Sequence, residues 1–179
     1  METPLLETER LRLRPMTEAD LGFIYRLFSD PETNRYSSYP DLAAPEDAGR
    51  MYGGYLRPGF EDHFRLALEL RETGEAVGTL GLYRYSERDR RAELGYDLLK
   101  GQWGRGYMTE AAGALLGYGF GELGLNRVEA TVDPLNLRSV RLLERLGFTL
   151  EGRMRERYMY KGGVHDELFY GLLRKDWGP

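Results

Sequence analysis

Residues 102–110 read Gln102-Trp103-Gly104-Arg105-Gly106-Tyr107-Met108-Thr109-Glu110. This stretch joins a strand-like apolar segment at residues 92–99 to a helical pattern that follows directly. Closely spaced glycines at a strand-to-helix turn let the backbone approach a ligand. The first N–H groups of a helix have no partner within it, and they lie at the positive end of the helix dipole. The pattern therefore predicts a turn that binds phosphate oxygens.

Two known nucleotide-binding loops share glycines with this turn but differ from it at other required positions. Gly101 and Gly106 have the spacing of a P-loop, but Tyr107 and Met108 stand where that loop needs Lys and a hydroxyl. A dinucleotide fingerprint needs a third glycine, and Thr109 stands there instead. The interpretation of the chain as a nucleotide-binding domain thus rests on the glycine loop alone. A glycine-rich turn that binds no ligand is the other interpretation of this segment.

Composition is typical of one globular domain, with 41% hydrophobic and 30% charged residues in 179. The net charge of −4 argues against a nucleic-acid partner. The chain contains no cysteine, which excludes disulfides, thiolate metal sites and a cysteine acyl-enzyme. No set of His and carboxylate residues has metal-ligand spacing, so no metal is predicted. With no apolar run of membrane-spanning length and no signal-peptide character at the start, we expect a cytoplasmic protein without membrane contact.

Periodicity predicts a mixed α+β chain. Strand patterns lie at residues 11–14, 64–70, 76–85, 92–99 and 127–132 and on both sides of a turn at 161–163. Helical patterns lie at residues 17–28, 45–55, 108–123 and 136–146. This order predicts a central, largely antiparallel sheet of about seven strands with helices on both faces.

A second motif lies about thirty residues after the glycine turn, at residues 133–148, between two strand patterns. With it, the chain resembles the GCN5-related N-acetyltransferase (GNAT) superfamily, and more narrowly its RimJ/RimL-like branch, which acts on ribosomal-protein N-termini and related amines. The resemblance spans residues 1–179 as a single N-acetyltransferase domain. The matching segments are Leu13-Arg14-Pro15, Glu93-Leu94-Gly95-Tyr96, Gly104-x-Gly106-Tyr107-x-Thr109-Glu110-Ala111, Asn136-x-x-Ser139, Leu146-Gly147-Phe148, Glu151-Gly152 and His165-Asp166.

The resemblance implies a V-shaped cleft for acetyl-CoA between two central strands, here residues 92–99 and 127–132. Pantetheine would pair with the backbone of residues 96–99, and pyrophosphate with N–H groups of residues 102–107. Gly101 departs from the family pattern, which often has Gln or Arg at that place. The cofactor-binding residues it implies are Leu98, Leu99, Gln102, Trp103, Gly104, Arg105, Gly106, Tyr107, Thr109, Asn136, Ser139 and Arg145.

The second motif has local as well as functional interpretations. Asn136 can cap the following helix, or, as the family implies, bind a pantetheine amide; the two are compatible. Arg138, Arg141 and Arg145 form either a solvated helix face or a site for the CoA phosphates. Many GNAT enzymes carry a tyrosine acid seven residues after the Asn, where this chain has Leu143.

Amine acetylation needs a neutral amine, a donor to the developing oxyanion and an acid for the thiolate. A strand N–H near Leu98 or Leu99 is expected to stabilise the oxyanion. Ser139 is the predicted acid, by resemblance to the RimL-like branch; otherwise it only caps its helix. Glu93 is the predicted base, acting through water; otherwise it pairs with an arginine among residues 90, 91 and 127. Tyr158 stands where the RimL-like pattern has a glutamate base.

We expect Glu156, two residues before Tyr158, to share its sheet face. The acceptor site is expected from residues 30–62 and the last hairpin. The first segment has a net charge of −4, which would attract a cationic amine. Its charged residues are Asp30, Glu32, Asp41, Glu46, Asp47, Glu61, Asp62, Arg35, Arg50 and Arg57.

The predicted function is direct acetyl transfer from acetyl-CoA to a primary amine, either a protein or peptide N-terminus, as a first guess, or a small amine. A non-catalytic acyl-CoA-binding or sensing domain is the alternative, because the helix tyrosine is missing. A homodimer is expected by family habit alone.

Overall fold

The computed structural model describes residues 1–37, 39–56 and 59–178. Its centre is an eight-stranded sheet in the order β1-β2-β3-β4-β5-β6-β8-β7. All neighbouring strands are antiparallel except β5 and β6. The strands are β1 (Leu6–Glu7), β2 (Leu11–Pro15), β3 (Phe64–Leu70), β4 (Ala76–Ser86), β5 (Arg91–Leu98), β6 (Arg127–Val132), β7 (Thr149–Tyr160) and β8 (Gly163–Leu173). The predicted fold class is confirmed, with the short β1 added to the expected strands.

Within the described ranges, four α-helices connect and cover the strands. They are α1 (Leu21–Ser29), α2 (Pro45–Tyr52), α3 (Tyr107–Phe120) and α4 (Leu137–Arg145). The predicted helix start at Thr17 is a capping box with Asp20, but residues 18–20 form a 3-10 turn before α1 begins. None of the helices in the described ranges has the length and apolar character of a membrane span.

Each face of the sheet buries its own apolar layer. On one face, α3 and α4 pack on alternate strand residues, for example Leu115 and Leu143 with Leu80 and Leu94. On the other face, α1 and α2 enclose a smaller cluster around Phe28. Burying a leucine side chain contributes about 1.5–3 kcal/mol, so these layers fix the sheet between the helices.

The two central strands, β5 and β6, are paired over only a short part of their length. The parallel pairing of β5 with β6 joins Arg91–Glu93 to Arg127–Glu129 and, within the described residues, extends no further. β5 continues along β4 to Leu98, whereas β6 continues along β8. The strands therefore diverge, and the predicted V-shaped opening forms beyond Glu93.

Candidate active site

A cleft of about 1050 Å³ occupies the opening between β5 and β6. Its walls include Leu94, Tyr96 and Leu98 from one face of β5 and Glu93 and Asp97 from the other. Because side chains alternate across a strand, the cleft passes through the plane of the sheet. One half reaches the start of α3 and α4, and the other reaches β8 and the segment after α1.

The glycine turn forms the wall of the cleft at the start of α3. Gly104 and Gly106 have φ values of 77° and 82°, a left-handed conformation that a side chain disfavours. The N–H of Glu110 bonds to the Gly106 carbonyl at 3.1 Å. The N–H groups of Tyr107 and Thr109 precede that first helical bond, and both residues line the cleft. This is the geometry expected of a phosphate site.

Three of the backbone donors predicted for the ligand are already used. The N–H of Gln102 bonds to the Leu99 carbonyl at 2.9 Å, and that of Trp103 bonds to the Lys100 carbonyl at 3.1 Å. The N–H of Leu99 bonds to the Val77 carbonyl at 2.9 Å, which rules it out as an oxyanion donor. The N–H groups of Gln102 and Trp103 are used within a 3-10 turn between β5 and the glycines, and that of Leu99 continues the pairing of β5 with β4.

Leu99, Gln102 and Arg105 also lie outside the cleft walls, as far as the described residues define them. The side-chain oxygen of Gln102 is buried, and the Arg105 carbonyl accepts a 2.9 Å bond from Arg10. The remaining predicted cofactor residues line the cleft, namely Leu98, Trp103, Gly104, Gly106, Tyr107, Thr109, Asn136, Ser139 and Arg145.

The backbone of β5 offers a free edge to the cleft. In an antiparallel pair, consecutive residues direct their N–H and C=O groups to opposite sides. Since Leu99 bonds to β4, the groups of Leu98 and Tyr96 point toward the opening. The Leu98 carbonyl accepts a 2.7 Å bond from the Trp103 indole N–H, and Arg138 Cζ lies 4.3 Å from the centroid of the Trp103 ring. An extended ligand can therefore pair with this edge as a strand would.

The Asn136 side chain caps α4, because its oxygen accepts a 3.3 Å bond from the Ser139 N–H. Asn136 also lines the cleft, so the helix cap and a ligand contact are compatible. Arg138, Arg141 and Arg145 line the same half of the cleft and give it positive charge.

Ser139 lines the cleft from the first turn of α4. Its hydroxyl is 2.7 Å from the Tyr96 hydroxyl, and Tyr96 lies three residues beyond the end of the pairing between β5 and β6. Burial raises the pKa of Tyr96 above its ordinary range, so the phenol keeps its proton. Leu143 is fully buried in the core beneath α4. A hydroxyl pair thus occupies the region in which the sequence predicts an acid.

Glu93 faces the other half of the cleft. Its carboxylate accepts a 2.8 Å bond from Arg84 and a 3.3 Å bond from the Thr131 hydroxyl. The arginines proposed as its local partners are engaged elsewhere, since Arg91 and Arg127 both bond to Glu129. Glu93 is therefore held by residues that themselves line the cleft.

Tyr158 lines the cleft with its ring against Tyr160, at a centroid distance of 5.4 Å. Burial raises the pKa of Tyr158, so it is a hydroxyl rather than a base. The expectation that Glu156 and Tyr158 share one face of the sheet is wrong. The register of β7 shifts between Met154 and Tyr158, and Glu156 has a φ of 51° and an exposed side chain. The bulge breaks the strand alternation on which that expectation depended.

The family model for an acetyltransferase (GNAT) domain matches residues 10–149. The chain is 37% identical over 180 residues to the uncharacterised N-acetyltransferase p20 of Bacillus licheniformis, covering 99% of each chain. Its fold matches a GNAT-family acetyltransferase from Bacillus anthracis with a TM-score of 0.86 and 26% identity, over 96% of this chain and 99% of that one. The chain belongs to the GNAT acetyltransferase family. A further fold neighbour is the Vibrio cholerae spermidine N-acetyltransferase in complex with CoA and spermine, with a TM-score of 0.83, 22% identity and coverage of 94% and 98%.

The cleft of this GNAT enzyme fits acetyl-CoA, the acetyl donor of the family. The open N–H groups of α3 and the arginines of α4 suit its phosphates, and the free edge of β5 suits its amide-containing arm. When bound, the cofactor supplies an acetyl group activated as a thioester. Gly104, Gly106, Leu98 and Asn136 are the residues whose backbone or amide groups would hold it.

Sequence reasoning missed several groups that line the cleft on the face of Glu93 and Asp97. Arg65, which is 4% exposed, bonds to Thr79 at 2.7 Å and also contacts Tyr83 and Asp97. Glu167 lines the cleft from β8. The alternation of polar and apolar residues along these strands was the available signal, but it does not reveal which strands are neighbours.

A second missed cluster joins the last hairpin to the start of α4. Asp133 is 4% exposed and accepts bonds from Tyr160 at 2.8 Å and from the Leu135 N–H at 2.7 Å. His165 Nδ1 lies 3.2 Å from the same carboxylate. These contacts hold the cleft half that carries Asn136 against the hairpin that carries Tyr158.

The acidic segment at residues 30–62 contributes less to the cleft than expected. Among its described acids, only Glu32 lines the cleft, together with Arg35. Asp41 pairs with Lys161 and Asp47 with Arg50, and the Asp62 carboxylate bonds to His63. Arg57, which is one of the counted charges, lies outside the described residues. Among the described residues, the carboxylates that line the cleft come mainly from the sheet.

Proposed function

We propose that this N-acetyltransferase transfers acetyl directly to a primary amine while the amine and acetyl-CoA are bound together. An alkylammonium is protonated at neutral pH and must lose a proton before it can act as a nucleophile. Direct transfer agrees with the sequence, which has no cysteine to carry an acyl group. The lining of the cleft from both sheet faces supports a proposal in which acetyl-CoA and the amine approach from opposite sides of the sheet.

The hydrogen bond between Ser139 and Tyr96 is the observation that carries this proposal. It joins two hydroxyl groups that both line the cleft. When the Tyr96 hydroxyl donates to Ser139 Oγ, the serine can direct its own proton toward the leaving thiolate, while the phenol keeps its proton. We therefore assign Ser139 as the proton donor of the reaction and Tyr96 as its positioning partner.

On the acceptor side we assign Glu93 to the removal of the amine proton through a water molecule. The Glu93 carboxylate lies in the cleft wall, where it is bonded to Arg84 at 2.8 Å and to the Thr131 hydroxyl at 3.3 Å. Tyr158 lies at the same end and is assigned to acceptor contact.

For the acceptor, we propose a protein or peptide N-terminus first, as in RimJ/RimL-like enzymes, and small amines next. Small amines are supported by the spermidine N(1)-acetyltransferase of Escherichia coli, which is 26% identical over 152 residues, 85% of this chain and 80% of that protein. Both classes present a cation, which the sheet carboxylates favour.

The test begins with calorimetric titration by acetyl-CoA, with NAD and ATP as controls. Acetyl-CoA alone is expected to bind, and Gly106→Glu to abolish its binding by filling the anion site with a carboxylate. Release of CoA is then measured with a tripeptide and with spermidine. Ser139→Ala is expected to keep acetyl-CoA affinity and to lose about 10²–10⁴-fold in turnover.

Ser86→Ala is the matched control, because its hydroxyl bonds to Asp89 away from the cleft. Full turnover in Ser139→Ala would contradict the assignment of Ser139. A wild type that binds acetyl-CoA and acetylates no amine would instead indicate a non-catalytic acyl-CoA-binding domain.

A further inference from the structure

An arginine from the turn between β1 and β2 reaches the start of α3. Arg10 Nε donates to a Glu110 carboxylate oxygen at 2.7 Å, and Arg10 Nη2 lies 2.6 Å from the same oxygen. The other Glu110 oxygen accepts from the Thr8 hydroxyl at 2.6 Å and from the Arg10 backbone N–H at 2.9 Å. Because Glu110 lies in the first turn of α3, this ion pair ties the β1–β2 turn to that helix.

The same guanidinium contacts the residues on both sides of Gly106. Arg10 Nη1 donates to the Arg105 carbonyl at 2.9 Å, and Arg10 Cζ lies 4.7 Å from the centroid of the Tyr107 ring. Gly106 has a φ of 82°, and a Cβ added there would lie 3.4 Å from Arg10 Nη2. Arg10 therefore packs against the left-handed glycine and is bonded to the residue before it.

The turn that carries Arg10 is itself anchored to the sheet. The Arg10 carbonyl accepts from the Arg71 backbone N–H at 3.0 Å, and the Thr8 carbonyl accepts from the Arg71 guanidinium at 2.7 Å. The Thr8 hydroxyl also accepts from the Leu11 N–H at 3.0 Å. Leu11 begins β2, which pairs with β3. The position of Arg10 is therefore set by the sheet and not by the glycine turn.

The glycine turn needs such a contact because glycines leave the backbone free to change conformation. Glycine loses more conformational freedom on ordering than any other residue. A ligand that uses the N–H groups of Tyr107 and Thr109 would otherwise have to order this turn as it binds, and that ordering lowers affinity. A guanidinium bonded to Arg105 and packed on Gly106 and Tyr107 orders the turn in advance.

Arg10 also balances a negative charge at the helix start. A carboxylate in the first turn interacts favourably with the helix dipole, but an anionic ligand uses the same positive end. Glu110 follows Thr109, which lines the cleft. Two negative charges at one helix end repel each other. The guanidinium on Glu110 therefore reduces the repulsion that a phosphate would meet there.

We propose that Arg10 is a positioning residue for the phosphate end of acetyl-CoA. Held by Glu110, it keeps the glycine turn in one conformation and offsets the carboxylate charge beside it. As far as the described residues define the cleft, Arg10 lies outside its walls. It therefore acts through Arg105 and Gly106 and not by touching the cofactor. The inference rests on the proposed function, in which acetyl-CoA binds at this turn.

The first experiment measures acetyl-CoA affinity by calorimetry. Arg10→Met removes both effects and should weaken binding about tenfold, which corresponds to about 1.4 kcal/mol. Arg10→Lys keeps the charge but lacks the planar fork that reaches carboxylate and carbonyl together, so its loss should be smaller. Arg10→Met/Glu110→Gln also removes the unpaired carboxylate and should regain part of the affinity.

Arg12→Met is the matched control for this series. Arg12 has a side-chain exposure of 47% against 43% for Arg10, and its partners are Glu7 and Glu69. The control therefore makes the same change of charge on the neighbouring strand, and it should leave acetyl-CoA affinity unchanged. Urea unfolding of each variant measures its stability separately.

Steady-state kinetics distinguish positioning of the cofactor from a general loss of structure. Arg10→Met should raise the KM for acetyl-CoA about tenfold, while kcat and the KM for spermidine or a tripeptide stay within about twofold of wild type. The difference between Arg10→Met and Arg10→Met/Glu110→Gln should shrink in about 1 M salt, where the screening length is about 3 Å. The loss that remains in the double variant should persist in salt.

The outcomes separate this inference from the function on which it rests. Equal acetyl-CoA affinity in Arg10→Met and Arg12→Met overturns it, as does a lower kcat with an unchanged KM for acetyl-CoA. Equal affinity in Arg10→Met and the double variant overturns the effect of the Glu110 charge, and full affinity in Arg10→Lys overturns the role of the fork. A wild type that binds no acetyl-CoA overturns the proposed function and this inference with it. If the wild type binds acetyl-CoA but acetylates no amine, only the proposed transfer fails, and the calorimetric series still decides the role of Arg10.

Discussion

The buried ion pair between Arg65 and Asp97 in the cleft wall gives a sharp prediction for stability. The Arg65 side chain is 3% exposed and the Asp97 side chain 21% exposed. In Asp97→Asn the guanidinium keeps its bonds to Thr79 and Tyr83 but loses its counter-charge. Breaking a buried pair from one side costs about 3–5 kcal/mol. Because water reaches part of Asp97, we expect the lower end, about 3 kcal/mol.

Urea unfolding followed by tryptophan fluorescence measures this change at constant m-value. The midpoint temperature of thermal unfolding should fall by about 6–12 °C, since a domain of this size loses about 2–4 °C in midpoint per kcal/mol of stability. The double variant Arg65→Met/Asp97→Leu should recover most of the loss, because it removes both charges.

An exposed pair gives the matched control. Arg12 and Glu7 are 3.1 Å apart with about half of each side chain exposed, so Glu7→Gln should cost less than about 1 kcal/mol. Equal losses in Asp97→Asn and Glu7→Gln would refute the argument that burial makes the Arg65 pair strong.

Three further predictions concern the cleft and its surroundings. Gly106→Ala places a side chain at a φ of 82°, and should cost about 1–2 kcal/mol of stability and weaken acetyl-CoA binding; unchanged stability in urea would contradict the strain. Asn136→Ala removes a helix cap and should cost about 1 kcal/mol, with a separate loss of acetyl-CoA affinity, by calorimetry, if the amide also contacts the cofactor. The hydrogen bond from Lys161 lowers the pKa of Asp41. This ion pair therefore adds stability at pH values above the ordinary Asp pKa, and the stability is lost as the pH falls through the lowered pKa. Lys161→Met should remove this pH dependence of the unfolding free energy, and an unchanged pH profile would contradict the contribution of the pair.

Local features of the site could be predicted from the sequence. The glycine turn, the start of α3 and the Asn136 cap depend on residues within one helical turn of each other. Their side-chain and backbone preferences are strong at such short range. The divergence of β5 and β6 followed from the family resemblance and is confirmed by their short parallel register.

The features that were missed depend on long-range neighbours or on irregular backbone. Ser139 meets Tyr96 across 43 positions, and Glu93 meets Thr131 across 38. Such pairs follow from strand order, which periodicity does not supply. The predicted sheet face of Glu156 was wrong for a different reason. A bulge in β7, in which Glu156 has a left-handed backbone conformation, interrupts the strand alternation on which that prediction depended.

The passage of the cleft through the sheet has a consequence for steady-state kinetics. The walls at Leu98 and Tyr96 face the α3–α4 side, and those at Glu93 and Asp97 face the opposite side. With acetyl-CoA on the first side and the amine on the second, as we propose, each substrate and its product would enter and leave without displacing the other. Initial-velocity plots should intersect, free CoA should compete with acetyl-CoA, and the acetylated amine should compete with the amine. Neither product should be trapped by the release of the other.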